Sequence, residues 1–280
     1  MAQITAADVN KLRQATSAGM MDCKKALEEA NGDFEKATEI IRKKGQMVAA
    51  KRADREATEG AVLAKINGDG TFGALTTLCC ETDFVAKNEQ FVQFADSILS
   101  LAIDNKPADL AALKGLKLGA QTVGDAVTER VGIIGEKIDL INYFKIEAAQ
   151  VIAYIHPGNK LATLVGFSKK LADIQVGKDV AMQIAAMNPV AVDKDSIPAS
   201  VIEKEREIAM EQTRNDKKNE GKPANIVEKI AEGKLEKYLK ENTLVNQEFI
   251  KDSKSTVGQY LQKVDKDLKV TAFFRYTLNA

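Results

Sequence analysis

Histidine is nearly absent from this 280-residue sequence, which holds only His156, and cysteine is scarce, with three residues. Catalysis and metal binding draw heavily on both. Cys79 and Cys80 are adjacent in an apolar run and Cys23 lies far away, so there is neither a CxxC spacing nor an even disulfide framework. Reduced thiols in a cytoplasmic protein are expected. Tryptophan is missing and aromatics make up 5% of the chain, which leaves few platforms for stacking nucleic-acid bases. No apolar run approaches the ~18 to 20 residues of a membrane span, and the start lacks the basic and apolar regions of a secretory signal. Neither sign of charge dominates, because forty Lys and Arg balance forty Asp and Glu. Without a global positive field, an RNA or DNA partner would need a local patch.

What remains is ordinary globular composition, 45% hydrophobic and 29% charged, in a chain long enough for two or three units. Thr5 can cap a first helix carrying Val9 and Leu12 on one face. Met20, Cys23, Leu27 and Ala30 follow at helical spacing. Asn31-Gly32-Asp33 turns the chain, and Phe34, Ala37 and Ile41 repeat the pattern as far as Gly45. These read as a small three-helix bundle whose surface suits docking. Met20 and Met21 cannot both face one core, so one is expected inside and one exposed. Arg42 to Arg55 reads as a solvated basic connector, with a nucleic-acid patch as the alternative.

Two stretches flanking Asn67-Gly68-Asp69-Gly70 read as a β-hairpin. Gly68, Gly70 and Gly73 match the spacing of a dinucleotide fingerprint, but a strand-like run follows where that fingerprint needs a helix. Thr82-Asp83-Phe84-Val85 then opens a helix bearing Phe91, Ala95, Ile98 and Leu99, and a Thr122-Val123-Gly124 helix precedes the strand Ile138–Ile146. The second half repeats this order. Gln150–Ile155, the turn His156-Pro157-Gly158-Asn159 and Leu161–Phe167 make a second hairpin, and Thr256-Val257-Gly258 returns ahead of a last strand at Leu268–Tyr276. The expected fold class is α+β with two related antiparallel subdomains. The units are residues 1–53, 54–147 and 148–280, the last carrying a helical hairpin at about 198–241. At ~1.5 Å per residue each arm of that hairpin would reach roughly 25 Å.

Three segments together resemble one family. Leu12-Arg13, the run Thr16 to Leu27 and Glu29-Ala-Asn-Gly-Asp33 are similar to the N-terminal domain of elongation factor Ts, with Ser17 where that family commonly has glycine. Thr82-Asp83-Phe84-Val85-Ala86-Lys87 resembles its central motif. Gly221-Lys222-Pro223, Ile230 to Leu235 and Thr256-Val257-Gly258 resemble its helical hairpin and last subdomain. The resemblance implies a ubiquitin-associated-like N-terminal domain and a guanine-nucleotide exchange factor for elongation factor Tu. It further implies that Thr82, Asp83, Phe84 and Val85 form the element that dislodges Mg²⁺ from the partner. Leu12, Arg13, Met20, Met21, His156, Phe249 and Ile250 are the implied partner contacts. No covalent chemistry, metal, cofactor, direct nucleotide binding, DNA or membrane is expected. Some relatives continue past the last strand into a C-terminal helical module, whose contacts are not expected from a chain that stops at Ala280.

Two other classes compete. An adaptor or RNA-associated protein would use the three-helix unit and the basic connector, and its binding would weaken steeply with salt. An enzyme built on the glycine turn or His156 would lack a paired base, nucleophile or metal set.

Overall fold

The computed structural model describes residues 4–16 and 18–278. Ser17 and the first three residues, read above from sequence, lie outside that range. Helices α1 (Ala6–Thr16), α2 (Met20–Glu29) and α3 (Phe34–Lys51) form the N-terminal unit around Val9, Leu12, Cys23, Ala26, Leu27, Ala37 and Ile41. Local caps start them. The Thr5 hydroxyl accepts from the Asp8 backbone N–H at 3.2 Å, and Asp33 accepts from that of Lys36 at 3.1 Å.

The first core subdomain runs through β1 (Glu59–Ile66), β2 (Phe72–Cys80), α4 (Asp83–Ala86), α5 (Glu89–Asn105), α6 (Leu110–Gly115), the two-residue strands β3 (Lys117–Leu118) and β4 (Gln121–Thr122), α7 (Val123–Ile134) and β5 (Ile138–Glu147). The second holds β6 (Gln150–Ile155), β7 (Leu161–Phe167), α8 (Ile174–Met187), the helical hairpin α9 (Ala199–Asn215) and α10 (Ala224–Asn242), β8 (Glu248–Phe249), β9 (Asp252–Thr256), α11 (Val257–Val264) and β10 (Val270–Thr277). One sheet has the order β1-β2-β5 and the other β6-β7-β10, so in each the hairpin's second strand is central and the last strand joins it antiparallel. The repeated sequence order is thus a repeated topology.

Alternation along the strands stacks these parts in four layers. In β1, Ala61 and Leu63 face the helices of the first subdomain, while Val62 and Ala64 face the other sheet. In β7, Val165 and Phe167 meet α8 and α11, and Ala162 and Leu164 point back toward the first sheet. Both faces are covered, which is why these strands read as continuous apolar runs. Phe144 and Phe274 stack across the sheet interface with centroids 4.8 Å apart.

The hairpin turns lock the sheets together. Val151 N–H donates to the Gly70 carbonyl at 2.6 Å, and Val62 N–H donates to the Asn159 carbonyl at 2.7 Å. Gly68, Gly70 and Gly73 are therefore consumed by a turn and a sheet contact. The two Thr-Val-Gly segments work alike: Thr122 and Thr256 cap α7 and α11, and Val123 and Val257 are fully buried behind them. The helical hairpin is anchored at its base, where Leu235, Tyr238 and Leu239 pack with Ala191 and Ile197. No helix among the described residues is long and apolar enough to cross a membrane.

Two helices differ from expectation. The pattern from Thr82 does not make one helix, because Asn88 adopts an extended conformation and its side chain caps α5 through Gln90 N–H at 2.9 Å. A one-turn helix, α4, is left on its own. In turn, α3 does not stop at Gly45 but continues to Lys51, since that glycine is where the helix crosses α7. A methyl group added at Gly132 would lie 2.3 Å from the Gly45 Cα, whereas one added at Gly45 would lie 3.6 Å from the Gly132 Cα.

The basic connector is spent on ion pairs, two of them to the first subdomain and one within the three-helix unit. Arg42 pairs with Asp125 at 3.4 Å, Lys44 pairs with Asp22, and Arg52 donates to Glu81 Oε1 at 2.7 Å. Glu81 also accepts the Lys137 backbone N–H at 2.6 Å, and the Lys137 ammonium reaches the carbonyls of Ala53 and Arg55 at 2.7 and 2.8 Å. The cations that might have made a nucleic-acid patch are largely tied to carboxylates.

Gly132→Ala is expected to destabilise the protein by about 1–3 kcal/mol through overpacking, while Gly45→Ala stays within ~1 kcal/mol of wild type because helix propensity favours alanine. Denaturant unfolding checks the order, and a more damaging Gly45→Ala would contradict the crossing. Glu81 gives a pH test. The Lys137 N–H first, then Arg52, hold its carboxyl below the usual carboxylate range. Its contribution is therefore complete above the unfolded pKa of about 4.3 and disappears as pH falls through the lower folded value. Glu81→Gln should lower the melting temperature by roughly 2–4 °C at pH 7, with the two curves converging in acid. A gap that persists unchanged in acid would refute this.

Candidate functional site

β2 ends at Cys80, and the chain turns through Glu81 and Thr82 into the single turn of α4. Thr82 is extended and caps that turn, its hydroxyl accepting from Val85 N–H at 3.4 Å. Ala86 is buried and Val85 packs against the first subdomain core. These two anchor one side of the turn, and Phe84, immediately before them, stands 83% exposed. Burying a phenylalanine side chain is worth about 1.5–3 kcal/mol, a gain this ring forfeits in the isolated chain. No other large hydrophobic side chain among the described residues is as exposed.

Charge and shape flank the ring. The Asp83 carboxylate accepts from the Lys87 ammonium one turn on, at 2.6 Å. That hydrogen bond first, then the charges of Lys87 and Lys160, hold the Asp83 carboxyl below its ordinary value, and Lys87 is raised in return. On one side of α4, Phe84, Phe91, Phe94, Arg130 and Ile134 line a hollow of 320 Å³. The Arg130 guanidinium lies 4.8 Å from the Phe94 ring centroid. On the other side Asp83, Lys87, His156, Pro157 and Lys160 line a groove of 410 Å³. Asp83 and His156, 73 positions apart in the chain, thus share one wall system. The sheet packing places the His156 turn there, and the Tyr154 hydroxyl lies 3.0 Å from His156 Nδ1.

The other implied contacts are distributed elsewhere. Leu12 is fully buried in the three-helix core, so it supports that unit from inside rather than offering a surface. Arg13 is exposed. Both Met20 and Met21 are exposed, at 44% and 65%, against the expectation of one inside and one out. Cys23, Ala26 and Leu27 fill the inward face of α2, and Met20 opens the helix ahead of that face. Phe249 is buried and stacks on Tyr260 at 4.3 Å, which leaves Ile250 as the exposed member of that pair. The Ile250 N–H donates to Gln183 Oε1 at 2.9 Å, fixing the loop on α8.

Sequence reasoning passed over Met47, which is 61% exposed on α3. Its signal was present: Ala37, Ile41 and Gly45 take the inward face, and Met47 is out of phase with them. It also passed over Lys160, which pairs with Glu59 at 2.9 Å in the groove wall, and over Glu136 behind Thr82.

The buried thiols near the site are held protonated. Burial raises the Cys79 thiol to about 11 and the Cys80 thiol to about 12, the latter also through Glu136, so neither is a thiolate near neutral pH. No group of three or more His, Cys, Asp and Glu side chains among the described residues is arranged to hold a metal ion. The geometry at α4 is thus an exposed apolar ring on a braced turn, with a carboxylate beside it and concave ground on both sides.

Comparison with known proteins identifies the family. The family model described as Elongation factor TS matches residues 81–280. The chain is 54% identical over 279 residues to elongation factor Ts of Amoebophilus asiaticus (strain 5a2), covering 99% of both chains. It is 52% identical over 278 residues to elongation factor Ts of Porphyromonas gingivalis (strain ATCC 33277), again 99% of both. Against elongation factor Ts of Christiangramia forsetii it is 50% identical, over 99% of this chain and all of the relative. Identity of this order along the whole length reflects common descent and not merely a common architecture: the chain belongs to the elongation factor Ts family of translation elongation factors.

Proposed function

We propose that this protein binds elongation factor Tu in its GDP form in the cytoplasm and promotes release of the nucleotide. The observation that carries the reading is the solvent-exposed Phe84 on a braced single turn. A GTPase holds GDP through backbone donors, a lysine and a Mg²⁺ ion fixed by protein oxygens. Mg²⁺ requires near-ideal octahedral geometry, so a small shift of the helices around it weakens the site. Phe84 supplies the shift by entering between helices of the partner, and its burial there recovers the free energy it forfeits in water. Asp83 sets the approach by hydrogen bonding or charge, while Thr82 and Val85 keep the turn in shape. His156, across the groove from Asp83, together with Ile250 and the exposed methionines, extends the contact over other parts of the partner.

Linkage fixes the limits of the effect. Whatever factor this protein removes from GDP affinity, GDP removes from the affinity of this protein for its partner. The protein therefore favours the nucleotide-free state and stays bound until GTP displaces it. No bond is made or broken, and the nucleotide chemistry remains with the GTPase.

Measurement of GDP dissociation from elongation factor Tu, with and without this protein and at low and high Mg²⁺, tests the reading. Phe84→Ala is expected to leave melting within roughly 2 °C of wild type, since an exposed ring contributes little to folding. It should slow stimulated GDP release by on the order of 10-fold or more, as loss of a buried aromatic anchor does. Wild-type exchange rates in this variant would sink the wedge, and a collapse in melting temperature would make Phe84 a core residue.

A further inference from the structure

The backbone ladder between β2 and β5 ends at the pair Cys80 and Ile138. Beyond it the two chains stay joined through side chains. Glu81 Oε1 accepts the backbone N–H of Lys137 at 2.6 Å, and Glu136 Oε2 accepts the backbone N–H of Thr82 at 3.1 Å. Each glutamate holds the residue that follows the other, so a reciprocal clasp takes over where strand pairing stops.

The two halves of the clasp differ in what else they hold. Glu81 turns toward the linker through Arg52. Glu136 turns toward α4, because its Oε1 also accepts the Thr82 hydroxyl at 2.8 Å. That bond commits the hydroxyl proton to Glu136 and leaves an oxygen lone pair for the Val85 N–H, the first capping contact of the turn. Gly135 makes the arrangement reachable. Its left-handed φ of 79° ends α7 and brings the following residue back beside Thr82.

We infer that Glu136 is a positioning residue for Phe84, holding the one-turn helix in its presenting orientation through the backbone and hydroxyl of Thr82. The inference rests on the reading of Phe84 as the inserted wedge. Two charge-assisted hydrogen bonds at the entry of α4 restrain the tilt of a turn that has only Val85 and Ala86 packed inward. Glu136 acts through α4, which carries Asp83 as well as Phe84, so most of its influence on exchange must vanish once the ring is gone.

A double-mutant cycle reads that dependence directly. GDP release from elongation factor Tu is measured across a concentration series for wild type, Phe84→Ala, Glu136→Ala and the double variant, alongside their melting curves. Glu136→Ala is expected to lower the maximal stimulated rate by ~10-fold, consistent with loss of charge-assisted hydrogen bonds, with little change in the half-saturating concentration. In the Phe84→Ala background the same change should lower the rate far less, because only the placement of Asp83 is left to disturb. Equal losses in both backgrounds would make Glu136 a general structural residue and overturn the inference. Wild-type rates in Glu136→Ala beside a slow Phe84→Ala would also overturn it while leaving the wedge intact. A fully active Phe84→Ala would instead overturn the function itself. Should Glu136→Ala melt below the assay temperature, Glu136→Gln, which keeps one acceptor oxygen, is run through the same cycle with the same criteria.

Discussion

A single helical turn is unstable in water, because nucleation fixes several dihedral angles in return for very few hydrogen bonds. The presentation of Phe84 therefore depends on what grips the ends of α4. At its start are the last ladder pair of β2 and β5 and the Glu81 and Glu136 contacts that follow. At its end, Asn88 caps α5, whose Phe91, Phe94, Ile98 and Leu99 lie deep in the first subdomain core. The turn is short because it is suspended between two rigid elements. A longer helix through Asn88 would turn further residues onto the face that Phe84 now occupies.

That dependence reaches across the molecule. The linker after α3 meets the clasp through Arg52 and Lys137, and α3 itself is seated on α7 by the Gly45 and Gly132 contact. Close helix contact at glycine leaves little room for sliding, so the three-helix unit and α4 share one frame. On the opposite side, sheet packing delivers the His156 turn to the groove beside Asp83. The same reciprocal hydrogen bonds that spend Gly70 on β6 spend Asn159 on β1. Repetition of one topology thus sets two distant sequence motifs side by side, which neither subdomain could do alone.

Features written into neighbouring residues were legible in the sequence, and features made by distant pairs were not. Caps at Thr5, Asp33, Thr122 and Thr256, both hairpins and the repeated Thr-Val-Gly units follow from side chains within a few positions of the backbone they serve. The exposure of Phe84 was legible only through resemblance, because an aromatic after a capping threonine equally suits a core staple. Gly45 looked like a stop, since its partner Gly132 lies on a separate helix. Phe249 looked available because Tyr260, which covers it, comes from another helix. Glu136 carried no signal, as its contacts with Thr82 span 54 residues and belong to no periodic pattern.

Bracing matters energetically because exchange, on the function proposed, depends on a difference between two affinities. Ordering a flexible loop on binding would cost roughly 1–2 kcal/mol per backbone residue, or about 4–8 kcal/mol for a four-residue turn. That cost would be subtracted from the free energy available to disturb the GDP site. Coupling is also reciprocal, so any interaction equally strong with the GDP-bound and nucleotide-free partner adds affinity without speeding release. A rigid turn concentrates the differential part of binding at one ring, whose burial requires the partner's helices to move. The surrounding surface then has only to hold the two proteins in register. On that proposed function the scarcity of histidine and cysteine is intelligible: a protein acting by displacing another's helices needs a fixed shape more than it needs reactive groups.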